Sequence, residues 1–284
     1  MGHEGFSSLV SPDWLARHLN EPGLRVIDAS WHLPSAGRDA ASEFEQGHIP
    51  GAVFFDIDRV VDPDSALPHT LPSEDDFASA ASALGIGNDD HVVIYDTVGL
   101  FSAARAWWMF RVFGHDTVAI LDGGLPAWSA GGNALEKGQP SVAPRTFRAR
   151  LRAEQVWTVA DVQRNLDSGE ATIVDARSED RFAGRAPEPR PGLRPGHIPG
   201  ARNIPINRLM DPETGRMHST ETLGRLFAET EGRPVVCSCG SGVTACALAF
   251  GLHRLGRDDV AVYDGSWAEW GARDDTPVES DPNP

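Results

Sequence analysis

Pro234-Val235-Val236-Cys237-Ser238-Cys239-Gly240-Ser241-Gly242-Val243-Thr244 reads as a short β-branched strand, a tight polar loop and the approach to an apolar helix from Ala245 to about Leu255. Gly240 and Gly242 let the loop turn its backbone N–H groups inward, at the positive end of the helix that follows. A thiolate at Cys239 would be stabilised in such a cradle, which is what makes a cysteine nucleophilic near neutral pH. Strand, loop and helix in this order are the repeating unit of a parallel α/β sheet, whose ligands bind beyond the carboxyl ends of the strands.

The other two cysteines, Cys237 and Cys246, lie in the same stretch. Cys237 falls inside the strand, and Cys246 falls on a helical face that would pack inward, so both read as core thiols. Three clustered cysteines form no disulfide framework and suit a reducing compartment. Cys-x-Cys with no close histidine also fits structural zinc spacings poorly, so no metal is expected.

Working outward, the same signals occur twice. Val26-Ile27-Asp28-Ala29-Ser30 is echoed by Ile173-Val174-Asp175-Ala176-Arg177, and His48-Ile49-Pro50-Gly51-Ala52 returns unchanged as His197-Ile198-Pro199-Gly200-Ala201. Val92 to Asp96 pairs with Val235 to Cys239, and Leu121 to Trp128 pairs with Tyr263 to Trp270. The chain is a diverged duplication. In each half, β-branched runs such as Leu24 to Ala29 and His91 to Tyr95 alternate with amphipathic stretches such as Ser73 to Leu84 and Ala103 to Phe113. Ser11-Pro12-Asp13, Ser73 with Asp76, and Thr158 with Asp161 read as helix starts. The expectation is α/β, with two parallel sheets flanked by helices. The Gly-, Pro- and Ser-rich segment Gly131 to Pro144 marks the boundary, giving domains 1–140 and 141–284.

With 40% hydrophobic residues, the 284-residue chain can fill such cores. The net charge of -16, from 41 acidic against 25 basic residues, argues against nucleic acid as a partner. Met1-Gly2-His3-Glu4-Gly5 lacks the pattern of a signal peptide, and no stretch of roughly 18 apolar residues suggests a membrane span. A soluble cytoplasmic protein is expected. An anionic substrate would need local arginines to overcome the acidic background.

Cys-Gly-Ser-Gly-Val-Thr-Ala-Cys from Cys239, the repeated His-Ile-Pro-Gly, and Tyr-Asp-Gly-Ser-Trp-Ala-Glu-Trp from Tyr263 closely resemble the tandem-domain rhodanese superfamily, most closely its 3-mercaptopyruvate sulfurtransferases. The resemblance spans nearly the whole chain. It implies two tandem rhodanese-like domains, the first without a catalytic cysteine because Asp96 stands in its place. It further implies sulfur transfer from 3-mercaptopyruvate to a thiol acceptor, such as a thioredoxin-like protein, or to cyanide, through a Cys239 persulfide and without a cofactor. Thiosulfate-using rhodaneses carry bulky basic residues after the cysteine, where this chain has Gly240 and Ser241; thiosulfate remains the alternative donor.

By the same resemblance, Arg181 and Arg190, from the loop Arg177 to Arg190, match the carboxylate-binding pair, and a guanidinium fork suits a keto acid's carboxylate. Arg177 reads as structural and Arg185 as solvent-facing. Asp58, His69 and Ser241 match a polar relay able to pass a proton to a leaving enolate. Gly240, Gly242, Val243 and Thr244 complete the expected substrate cradle. His48 and His197 recur in both halves and read as fold maintenance. Many relatives have tyrosine where this chain has Phe101. A cysteine phosphatase would require an arginine at the end of the loop, where Ala245 stands, and a non-catalytic binding module sits badly with an intact nucleophile loop.

Overall fold

A computed structural model describes residues 6–257 and 259–281. Met1 to Gly5, read above for targeting signals, lie outside the described residues. The chain divides into two compact units. The first comprises Met1–Val61, Pro72–Leu151 and Met210–Met217, and the second comprises Asp62–Leu71, Arg152–Leu209 and His218–Pro284. Each unit thus takes in a short arm from the other half of the sequence.

The first unit runs β1 (Leu9–Val10), α1 (Pro12–His18), β2 (Leu24–Asp28), α2 (Ala40–Gln46), β3 (Val53–Phe54), α3 (Glu74–Ala83), β4 (His91–Tyr95), α4 (Ala103–Val112), β5 (Val118–Leu121) and α5 (Gly124–Ala130). The second runs β6 (Val156–Trp157), α6 (Val159–Ser168), β7 (Thr172–Asp175), α7 (Glu179–Phe182), β8 (Arg202–Asn203), α8 (Thr220–Leu226), β9 (Val235–Ser238), α9 (Ala245–Arg254), β10 (Val260–Tyr263) and α10 (Ser266–Trp270). Both sheets are parallel, in the order β1-β5-β4-β2-β3 and β6-β10-β9-β7-β8. The duplication read from the sequence is therefore a duplication of topology.

Several of the helices begin where a side chain satisfies a free N–H group. Ser11 accepts from Trp14 N at 3.1 Å, with Pro12 opening the helix and Asp13 in its first turn. Ser73 accepts from Asp76 N at 3.1 Å ahead of three acidic residues. Thr158 and Asp161 form a reciprocal capping box.

β4 and β9 are central, their buried residues apolar or aromatic apart from Ser238, and α4 and α9, which follow them, are almost wholly buried. Cys237 and Cys246 belong to this core. Burial pushes the Cys237 thiol well above its ordinary pKa, the neighbouring cysteines reinforcing the effect, so it is held protonated. Cys246 Sγ donates to the Gly242 carbonyl at 3.1 Å.

The paired histidines tie returning chain to each sheet. His48 Nδ1 donates to Phe44 O at 2.7 Å and its ring stacks on Phe44. His197 does the same with Phe182, at 2.8 Å. Each also forms an antiparallel backbone bridge, to Glu136 and Glu279 respectively.

Candidate active site

Cys239 is the first residue after β9, at the carboxyl edge of the second sheet. Its carbonyl and that of Gly240 are drawn away from the loop by the first amides of α10, Trp267 N at 2.9 Å and Ala268 N at 2.8 Å. With the carbonyls turned outward, the loop amides face inward. Among the described residues no acceptor engages the N–H groups of Gly240, Ser241, Val243 or Thr244. Gly242 supports the turn with φ +75°. The sulfur sits in a nearly dry setting, Cys239 being 1% exposed.

The twin loop in the first unit shows what such amides hold. Asp96 Oδ1 accepts from Val98 N at 2.8 Å and Gly99 N at 2.7 Å; Oδ2 accepts from Phe101 N at 2.8 Å and Ala103 N at 2.9 Å. Four backbone donors converge on one buried carboxylate. The strand-loop-helix turn of this fold is an anion cradle, filled in the first unit by the protein's own side chain.

Two further side chains reach the cysteine loop. Ser266 Oγ accepts the Cys239 N–H at 3.2 Å and donates to Tyr263 O at 2.8 Å, linking the cysteine backbone to the end of β10. His69, carried by the Asp62–Leu71 arm, places Nδ1 3.1 Å from Ser241 Oγ, and both residues are buried. Among the described residues His69 and Ser266 are the non-glycine residues with positive φ, +62° and +49°. Their counterparts in the first unit are Gly215 at +66° and Gly124 at +55°. At Gly124 a Cβ would run into the Asp96 carbonyl. Left-handed backbone disfavours any side chain, and it is tolerated where surroundings enforce it.

Arg181, on α7, lies directly beside the loop: a Cβ built on Gly240 would stand 3.0 Å from Arg181 Nη2. Glycine at 240 leaves the space this guanidinium fills. Arg181 pairs with Glu188, whose other oxygen accepts from Arg177 Nη1 at 2.7 Å. Arg177 is buried, grips Asp175 through Nη2 at 2.7 Å, bonds Gly196 O, and lies 4.3 Å above the Trp267 ring. Glu188 thus aims Arg181 from a fixed base. Arg190 is half-buried further along the same loop, and Arg185 pairs with Asp180 at the surface.

Cys239, Gly240, Ser241, Gly242, Val243, Thr244, His69 and Arg181 are thereby gathered around one loop. Asp58 belongs to the first unit, where its Oδ2 accepts from Trp31 Nε1 at 2.9 Å; the Trp31 ring stacks on Phe101 at 6.0 Å. Glu188, Ser266 and Asp264, which accepts the Leu71 N–H at 2.8 Å, were not singled out as site residues from the sequence. The signal for Ser266 and Asp264 lay in the Asp-Gly motif that recurs in both halves. Among the described residues no group of three His, Cys, Asp or Glu side chains gathers in a way that could hold a metal ion. Nor is any helix among them long and apolar enough to cross a membrane.

Comparison with known proteins matches the rhodanese-like domain family to residues 11–131 and again to 158–273. The chain is 48% identical to human 3-mercaptopyruvate sulfurtransferase, over 93% of this chain and 91% of that protein. It is 46% identical to Arabidopsis thaliana thiosulfate/3-mercaptopyruvate sulfurtransferase 1, a mitochondrial protein, over 96% of this chain and 78% of the other. Among solved structures, the Escherichia coli 3-mercaptopyruvate sulfotransferase SseA superposes with a TM-score of 0.84 at 41% identity, covering 93% of this chain and all of that one.

Proposed function

Because the chain belongs to the rhodanese-like family, in which two such domains follow one another along its length, we propose that it is a sulfurtransferase using 3-mercaptopyruvate as donor. The Cys239 thiolate attacks the donor's sulfur, the carbon–sulfur bond breaks, and its electron pair leaves on pyruvate as the enolate. The sulfur stays on Cys239 as a persulfide. Protonation of the enolate carbon, through Ser241 and His69, releases pyruvate. A thiol acceptor, small or thioredoxin-like, then attacks the outer sulfur and restores the thiolate. Arg181 and Arg190 hold the keto acid's carboxylate, and the amides of Gly240, Ser241, Gly242, Val243 and Thr244 stabilise negative charge as it forms.

The observation that carries this reading is the pair of loops. One closes its amides on the Asp96 carboxylate, and the other presents the corresponding amides beside a cysteine and a histidine-backed serine. Thiosulfate is the competing donor, since the Arabidopsis relative is named for both. Rates with 3-mercaptopyruvate and thiosulfate, measured side by side in wild type and Arg190→Ala, separate the two. We expect a wild-type preference for 3-mercaptopyruvate, and a ten- to hundredfold loss of kcat/KM in the variant, about 1.5 to 3 kcal/mol for one charge-assisted contact, confined to that donor. A wild-type preference for thiosulfate would reverse the donor assignment. Three free cysteines suit a reducing compartment, and we place the protein in the cytoplasm; fractionation against the mitochondrial alternative tests this.

A further inference from the structure

The Asp62–Leu71 arm is short, contains no helix or strand, and yet delivers His69 to Ser241. Its internal bonds close it on itself: Asp62 N donates to Thr70 O at 3.1 Å, and Asp62 Oδ1 caps the first turn through Asp64 N at 3.0 Å. Neither bond attaches it to the second unit. Besides the His69–Ser241 contact itself, a backbone anchor is supplied by the Leu71 N–H, which donates to Asp264 Oδ2 at 2.8 Å two residues beyond His69. Asp264 is itself 8% exposed and stands between β10 and α10, immediately before the Gly265-Ser266 turn that holds Cys239.

The first unit repeats the device without the chemistry. Its arm, Met210–Met217, closes by Asp211 N to Arg216 O at 2.8 Å, and the Met217 N–H donates to Asp122 Oδ1 at 2.9 Å. Asp122 is the counterpart of Asp264 in the repeated Asp-Gly motif. Where His69 stands on one arm, Gly215 stands on the other, in the same left-handed conformation. Capture of an arm by the motif aspartate is thus common to both units, but on one arm alone does it hold a histidine against a serine.

We propose that Asp264 is a positioning residue for sulfur transfer: by accepting the Leu71 N–H it fixes the backbone that presents His69 to Ser241. A histidine in left-handed backbone relaxes toward negative φ once the next anchor is removed, and the imidazole then leaves the serine. Asp264→Asn keeps an acceptor oxygen and should restore the positioning.

The proposal rests on the sulfurtransferase reading for its kinetic arm, so the experiment pairs kinetics with hydrogen exchange, which needs no substrate. In the full chain, Asp264→Ala should raise amide exchange in residues 62–71 roughly ten- to a hundredfold, and Asp122→Ala should do so in residues 210–217. Asp264→Ala should lower kcat for pyruvate release by a similar factor, Asp264→Asn should recover most of it, and Asp122→Ala should leave it near wild type. The decisive background is His69→Gly, which copies the twin arm: there Asp264→Ala should cost no further activity. Loosened exchange in 62–71 with no pyruvate released by wild type would sink the functional reading alone. Unchanged exchange in 62–71, or an undiminished further loss in the His69→Gly background, would overturn the positioning role.

Discussion

The Asp96 and Cys239 loops are the same turn put to two uses. Asp96 closes all four cradle amides on its own carboxylate, whereas Cys239 offers a sulfur whose charge appears and moves during reaction. Around the first loop the backbone is relaxed: Gly124 and Gly215 occupy the left-handed positions. Around the second the same positions are Ser266 and His69, each a side chain where glycine would be easier, and each touching the cysteine loop. One half of the duplication has optimised a closed turn. The other has accepted strain to keep a turn open and armed.

The most severe way to break the comparison is to remove the nucleophile. Cys239→Ser should abolish sulfur transfer with the fold intact, because a buried hydroxyl of similar size replaces the thiol, while Cys246→Ser should retain most activity.

Next comes the plugged cradle. Asp96→Ala leaves buried N–H groups without an acceptor and should destabilise the protein by about 3 kcal/mol or more, measured by denaturant unfolding. Little change would mean the first cradle is not structural.

A third contrast concerns Asp28 and Asp175, twins at the ends of β2 and β7. Asp175 is gripped by Arg177, whereas the position matching Arg177 is Ser30 in the first unit. Burial therefore raises the Asp28 carboxyl from 3.8 to about 6, against the opposing bonds from Ser30 and Tyr95. A folded pKa above the unfolded one means the folded state binds the proton more tightly. This contribution is complete below about pH 4 and is lost as pH rises through 6, so at neutral pH ionised Asp28 costs the fold up to about 3 kcal/mol. Asp28→Asn should raise stability at pH 7 by about 1 to 3 kcal/mol and flatten its pH dependence between 4 and 6.

The smallest effect sharpens the strain argument. Ser266→Gly should stabilise the fold slightly, by about 1 kcal/mol or less, while slowing the reaction of Cys239 with an alkylating reagent and with donor. Equal or faster alkylation would free Ser266 from any role at the site.

Much of this was legible from residues alone because the fold repeats local signals. β-branched runs and caps such as Ser11 or Thr158 with Asp161 are short-range and show themselves in both halves, as the glycine spacing around Cys239 does in the second. His69 had no local signature and was named through family resemblance. The arm exchange, the Glu188 clamp between Arg177 and Arg181, and the closeness of Arg181 to Gly240 depend on residues far apart in sequence meeting in space. The small size of Gly240 accommodates the Arg181 guanidinium, a neighbour that no local pattern announces.

The most direct test is mass spectrometry of the protein after brief exposure to one equivalent of 3-mercaptopyruvate, with released pyruvate measured in parallel. The account predicts one added sulfur, on the peptide containing Cys239 and localised to that residue, in step with one pyruvate per chain. Sulfur on Cys237 or Cys246, or pyruvate release without any sulfur on the protein, would contradict it.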